Sequence, residues 1–249
     1  MTLIVEDPLW LLLDDESGDL LIDCVGLSRA LAGAVQLELT QPTPAAPNPP
    51  LRLTGPGETV KFGRLVLSDA HLSADRLNDQ VLTASIELLR RRPVPVTQAI
   101  TQLERGLIKI ILERLCANGR VRRESLRLLG IIPMTYWPTL DRAGKNQLRG
   151  PLRRTLLDAH EPDSRTAALI ALLHIVDGLT AQCPGWRRSV IHGAAQQISH
   201  RFFDRVRAVE AVKAAVCDSH ANSYTGSFLS RERTRPTPYL KEVSPECNT

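Results

Sequence analysis

Between Thr166 and Val176 the chain is apolar on every face that a helix would present, interrupted only by His174 near its end. Such a helix is stable in water only when other elements cover it on all sides, so it predicts a central strut around which the rest of the chain is wrapped. Its length is about half of the roughly 20 residues needed to span a bilayer, and any membrane contact is therefore expected to be peripheral. With 249 residues the chain is long enough to bury one sizeable core. Leu and Ala dominate and aromatics are only 4%, which favours helices packed on aliphatic seams over a sandwich or barrel. The expected fold is mainly α, a helical core surrounded by amphipathic helices.

The flanking segments supply those helices. Residues 7–39 predict a short apolar helix, an acidic turn at Asp14, Asp15, Glu16, Ser17 and Gly18, and a second helix whose Leu27, Ala30, Leu31, Ala34, Val35 and Leu37 recur at helical spacing. Residues 41–57 contain six prolines and predict an exposed loop. Lys61 to Ser68 alternates like a short strand, and Ala74 to Arg92 reads as a helix stopped by Pro93 and Pro95. Thr97 to Asn118 reads as a stronger helix, with a seam of Ile100, Leu103, Leu107, Ile111 and Leu115 and a cap at Gly119; on another face Arg105 and Lys109 lie one turn apart.

Beyond Gly119, Val121 and the run Leu126 to Ile132 predict a β-hairpin with its turn at Glu124-Ser125. The far end, Ile131 through Trp137 and Pro138, is unusually apolar for a loop that only faces water. Gln147 to Ala159 predicts a basic helix with Arg149, Arg153 and Arg154 on its polar side, Ser164 is the expected N-cap of the strut, and helices over 186–199 and 200–217 complete the bundle. The expected domain covers 1–217, and residues 218–249, rich in Ser, Thr, Pro and Arg without periodicity, read as a disordered tail.

A search for chemistry returns no cluster that an enzyme would need. Gly55-Pro56-Gly57 is too short and proline-bound to cradle a phosphate. Asp14, Asp15 and Glu16 lack the spacing of a calcium loop and read as a solvated turn. His192, His200 and Asp204 drift around a helix too far to read as a metal site, and His174 reads as a satisfied core histidine. No catalysis, metal or cofactor is expected. Five cysteines, odd in number and without a CxxC pair, argue for reduced, intracellular thiols. Glu6 and Asp7 before Leu9 to Leu13 carry the wrong charge for a secretory leader.

The formal charge is +4, with 26 Arg against 5 Lys. Arg105, Lys109, Arg120, Arg122, Arg123 and Arg127 gather around one predicted helix and the hairpin that it leads into. Basic residues beside an apolar loop that carries Tyr136 and Trp137 match the needs of an interfacial membrane site. No aromatic platform or recognition helix accompanies them, so nucleic acid is not an expected partner.

Leu11-Leu12-Leu13-Asp14-Asp15 through Gly18, Leu31-Ala32-Gly33-Ala34 with Glu38-Leu39, Ile132-Pro133 followed by Trp137-Pro138, and the run Arg165 to His174 together resemble the Golgi phosphoprotein 3 family, especially its bacterial branch, in the same order over roughly residues 3–217. The resemblance implies a non-enzymatic α-helical core wrapped by amphipathic helices and a protruding hydrophobic β-hairpin that touches the bilayer. In eukaryotic members it also implies a pocket for phosphatidylinositol 4-phosphate, used to sit on Golgi membranes and retain glycosylation enzymes. Of the family's two pocket arginines three residues apart, the first matches Arg105 and the second falls at Ile108, with Lys109 beside it. The pocket tryptophan has no counterpart around Leu20 to Asp23, and the glycine-flanked arginine falls near Ala32, with Arg29 as a substitute from the preceding turn. The implied headgroup-binding residues are Arg105, Lys109 and Arg29, and the implied membrane-inserting residues are Ile131, Ile132, Met134 and Trp137.

The expectation is a peripheral protein on the cytosolic face of a membrane, at the Golgi only in a eukaryotic source. Its expected partners are anionic lipids, a membrane-protein client and, through the hairpin, further copies of the chain. The alternative is a soluble scaffold that uses the apolar hairpin as a protein interface.

Overall fold

The computed structural model describes residues 3–40, 49–68, 79–128 and 132–205. It is mainly α, with two small antiparallel sheets. The order begins with α1 (Glu6–Leu11), α2 (Cys24–Thr40), β1 (Leu51–Leu53), β2 (Arg64–Leu67), α3 (Gln80–Arg91), β3 (Val94–Pro95), α4 (Val96–Leu103) and α5 (Leu107–Ala117). It continues with β4 (Glu124–Leu128), β5 (Ile132–Tyr136), α6 (Arg142–Asp158), α7 (Ser164–Ile175), a 3-10 turn at Thr180–Gln182, and α8 (Arg188–Arg205).

The strut is α7. Every residue from Ala167 to Leu173 is buried, and α1, α2, α6 and α8 pack around it. The small Ala167, Ala168 and Ala171 let neighbouring helices approach, while each buried Leu contributes about 1.5–3 kcal/mol of transfer free energy. α1 is buried along its whole length and meets α5, α6 and α7, so the N-terminal segment is part of the core.

Local chemistry sets several boundaries. Asp79 caps α3 by accepting from the Val81 and Leu82 N–H groups, and Asp141 caps α6 through the Gly144 N–H. α7 is capped by Asp163, which accepts from Thr166 N at 2.7 Å; Ser164, the expected cap, is instead the first helical residue. Gly119, at φ +69°, ends α5, and the Arg120 N–H reaches back to the Leu115 carbonyl at 2.9 Å.

Four segments differ from the sequence reading. The single helix expected over 97–118 is two helices, because Gly106 adopts φ +75° and breaks the ladder after Leu103. The proline-rich stretch is not all loop: Leu51–Leu53 pairs with Arg64–Leu67, Leu51 is buried, and Ser68 ties the strand's start by donating to the Pro49 and Pro50 carbonyls. In the hairpin, Glu124 and Ser125 are not the turn but the base of β4, opposite Tyr136 and Thr135. The alternation of Glu124, Ser125 and Arg127 with Leu126 and Leu128 is the strand signal that a turn assignment overlooked. The two helices expected over 186–217 are one helix as far as Arg205. Residues 206–217, like the tail at 218–249, lie outside the described residues.

Candidate functional site

The break between α4 and α5 is where the expected basic residues sit. α4 ends at Leu103, and the Glu104 N–H donates to the Ile100 carbonyl at 2.9 Å. Arg105 lies in the break and Lys109 in the first turn of α5, so they flank a bend instead of sharing one continuous helix face. Gly106 at the N-cap offers no side chain to cap α5; the Leu107 N–H reaches the Glu104 carbonyl at 3.5 Å, and the N–H groups of a first turn have no intrahelical acceptor. That end carries the positive pole of the helix dipole and suits an anion.

Arg29, from α2, is drawn to the same break: its Nε donates to Glu104 Oε2 at 3.0 Å, with both side chains about a fifth exposed. Lys109 is well exposed and meets Glu113 only at 3.9 Å. Arg105 is exposed, and among the described residues no carboxylate pairs with it. Arg29 thus meets Glu104 in the break, with Arg105 next to it in the chain and Lys109 in the first turn of α5.

The remaining expected cations are distributed otherwise. Arg120 turns inward, with Nη1 3.4 Å from Glu6 Oε2 and 3.8 Å from Asp7 Oδ1 and its guanidinium 4.7 Å from the centroid of the Trp10 ring. Arg122 pairs with Glu124 at the hairpin base. Arg123 stacks over Trp137 at 5.8 Å from the ring centroid. Trp137 is half-buried and packs partly against the core, immediately after β5. Its backbone lies so close to Gly18 that a Cβ there would be 2.2 Å from the Trp137 carbonyl carbon. Ile132 and Met134 are in β5, opposite Leu128 and Leu126, and Ile131 lies outside the described residues. The hairpin base and the break thus lie at opposite ends of α5, whose 11 residues put them about 16 Å apart.

The acidic turn is not simply solvated. Lys145, fully buried on α6, donates to the Leu13 carbonyl at 2.6 Å and lies 2.5 Å from Asp15 Oδ1, while Arg149 forks onto the two Asp15 oxygens at 2.8 and 3.2 Å. Burial alone would raise the Asp15 carboxyl, but hydrogen bonds from Arg149 and Lys145, together with their charges, bring it down to about 2. Burial pushes the Lys145 ammonium below its ordinary value, opposed by its bond to Asp15. Arg149, expected on a polar face, also donates to Gln182 Oε1 at 3.1 Å. Sequence reasoning missed this junction because Lys145 falls before the helix expected over 147–159 and its partners come from Leu13 and Asp15, far away in the chain.

The histidines take places of their own. His192 Nε2 is 3.0 Å from Asp177 Oδ1, and its ring meets that of His174 edge-on at 5.2 Å. Among the described residues, no three His, Cys, Asp or Glu side chains are grouped so as to hold a metal, and no helix is long and apolar enough to cross a membrane.

Against protein-family models, the one described as Golgi phosphoprotein 3 (GPP34) matches residues 4–218. Compared with curated proteins one by one, the chain finds no match.

Proposed function

Since the chain belongs to the Golgi phosphoprotein 3 family, we propose that it is a peripheral membrane protein, an adaptor that docks on anionic phospholipid headgroups at the α4–α5 break. The observation that carries this reading is the start of α5, whose N-cap Gly106 offers no capping side chain, with Arg105 beside it, unpaired with any carboxylate among the described residues, and Lys109 in its first turn. A phosphate at that point would receive the first-turn N–H groups and two cations together. Arg29 forms the wall of the site, positioned by Glu104. The ligand is phosphatidylinositol 4-phosphate or a bacterial equivalent.

The hairpin supplies the apolar half. Ile131, Ile132 and Met134 enter the acyl region, and Trp137 with Arg123 marks the headgroup level at its base. A helix lying flat on the surface would let both of its ends reach the bilayer, which accommodates the spacing along α5. Docking faces the cytosolic leaflet, and the protein engages its membrane-protein client there.

Flotation with phosphatidylcholine vesicles, alone or containing phosphatidylglycerol or phosphatidylinositol 4-phosphate, tests the reading. Binding to the anionic vesicles should fall with added salt and fall at least about tenfold on charge reversal at Arg105 and Lys109, since each cation near such a surface is worth about 1 kcal/mol. Equal flotation with neutral and anionic vesicles, or undiminished binding by the double variant, overturns it.

A further inference from the structure

Every residue from Pro184 to Val190 is exposed. Among them Trp186 retains 52% and Val190 47% of full exposure. A tryptophan left that far in water is unusual in a chain whose Trp10 is buried, and it calls for a partner.

The segment is firmly based. Gln182 is buried, with its Nε2 donating to the Leu11 carbonyl at 2.8 Å and its own carbonyl accepting from Arg153 Nε at 2.6 Å. Cys183 is buried next to it. Pro184 and Gly185 then form a β-turn, closed by the Trp186 N–H donating to the Cys183 carbonyl at 3.3 Å. Gly185 has φ +86°, the left-handed value that the third position of a type II turn requires. A turn fixed at its base presents Trp186 outward, so little backbone freedom remains to be lost on binding.

Charge selects the partner. Residues 178–203 contain no Asp or Glu, while Arg187 and Arg188 follow Trp186 directly. Arg188 is held by Asp177. Arg187 is exposed, and no carboxylate pairs with it among the described residues. The turn therefore offers an amphipathic ring beside a guanidinium that has no carboxylate partner among the described residues, the pairing that seats at the headgroup level of an anionic bilayer. The turn is also linked to the hairpin base: Arg149, which grips Gln182, also grips Asp15, and the Asp15 carbonyl accepts from Thr139 N at 3.2 Å. The turn and the hairpin base are tied to one hub.

We propose that the Pro184–Val190 turn is a second membrane anchor, in which Trp186 enters the headgroup region and Arg187 pairs with lipid phosphate, so that docking is gripped at two points. This rests on the membrane-docking reading above. The full chain with Trp137→Phe leaves Trp186 and the buried Trp10 as fluorophores; added phosphatidylcholine–phosphatidylglycerol vesicles with brominated acyl chains should blue-shift and quench the emission. The difference between wild type and Trp186→Phe should show the same signal with the hairpin untouched. Joint replacement Trp186→Ser and Arg187→Glu should weaken flotation about tenfold without moving the thermal midpoint. Vesicle binding without change in Trp186 emission, or unaltered binding by the double variant, overturns the second anchor and leaves the hairpin and helix-break reading standing. Failure of every form to bind vesicles overturns both, and self-association that depends on Trp186 would assign the turn to a second copy of the chain instead.

Discussion

Around α1 the arginines pair with buried acids: Arg114 bridges Glu6 at 2.9 Å and Asp79 at 2.6 Å, and Arg165 reaches Asp7 at 2.6 Å, with the Glu6 and Asp7 side chains almost fully buried. At the α4–α5 break the same side chain meets solvent, and Arg105 has no carboxylate partner among the described residues. The difference is one of burial. A carboxylate taken out of water must be matched by cations, so Glu6, Asp7 and Asp15 consume arginines for the fold. A cation left at a rim without a partner adds nothing to folding and remains available to a ligand. The arginine count therefore says little about function until the structural ones are set aside, and the variants below separate the two kinds.

The largest loss is expected at Asp15. Asp15→Ala would leave the Lys145 ammonium buried with only neutral oxygens for company, the Leu13 carbonyl and the Thr139 hydroxyl. Removing one member of a buried ion pair costs about 3–5 kcal/mol, so urea or thermal denaturation should show a strongly destabilised protein. A loss below about 1 kcal/mol would place Asp15 with the rim charges.

Gly18 closes the same turn against the hairpin base. It has φ +70°, and a Cβ would lie within 2.4 Å of three backbone atoms of Trp137 and Pro138. Gly18→Ala is expected to cost about 2–3 kcal/mol and to loosen the hairpin from the core, visible as faster amide exchange in β4 and β5. Wild-type exchange there would mean that the turn does not hold the hairpin.

Acid should act in opposite directions on the partly exposed Asp15 and the buried Asp7. Asp15 titrates at about 2 in the fold against an ordinary 3.8, so its stabilisation is complete above the unfolded value and is lost as pH falls from about 4 towards 2. It amounts to about 1 kcal/mol once screening of its partly exposed oxygens is allowed for. Burial raises the Asp7 carboxyl despite Arg165, so acidification relieves that site. Asp15→Asn should flatten the stability profile below pH 4, as read by urea midpoints across the range; an unchanged acid limb would assign the transition to other carboxyls.

The strut was legible because an all-apolar helix has only one place to go, and the family motifs ran in order along the same core. The helix break was not. Leu103 and Leu107 keep their four-residue spacing across it, and nothing in a lone glycine between them announces φ +75°. The strand at Leu51–Leu53 was hidden by the prolines on either side, although Leu51 and Leu53 flanking Arg52 carry the alternation of a strand. At the candidate site, the resemblance points to Arg105, Lys109 and Arg29, whereas the contact by which Glu104 holds Arg29 joins residues 75 apart and leaves no local signal. The exposure of Trp186 depends on what the rest of the chain leaves uncovered, which a sequence of local patterns does not encode.

The smallest effect on folding is expected at the rim. In Arg105→Glu with Lys109→Glu, one replaced cation has no carboxylate partner among the described residues, and the other has only an exposed contact at 3.9 Å to Glu113. Exposed pairs of that kind contribute about 0.2–1 kcal/mol, and surface substitutions away from caps and cores usually stay within about 0.5 kcal/mol. Placing carboxylates at the start of α5 would even favour the helix, because an anion there complements the dipole. The double variant should therefore melt within a degree or two of wild type, or slightly above it. Its binding to anionic vesicles should nevertheless fall, and the remaining binding should be less sensitive to salt, because two of the charges that sense the surface are gone. A drop in melting temperature comparable to that of Asp15→Ala would show that Arg105 and Lys109 belong to the fold, and the contrast between the two regions would disappear with it.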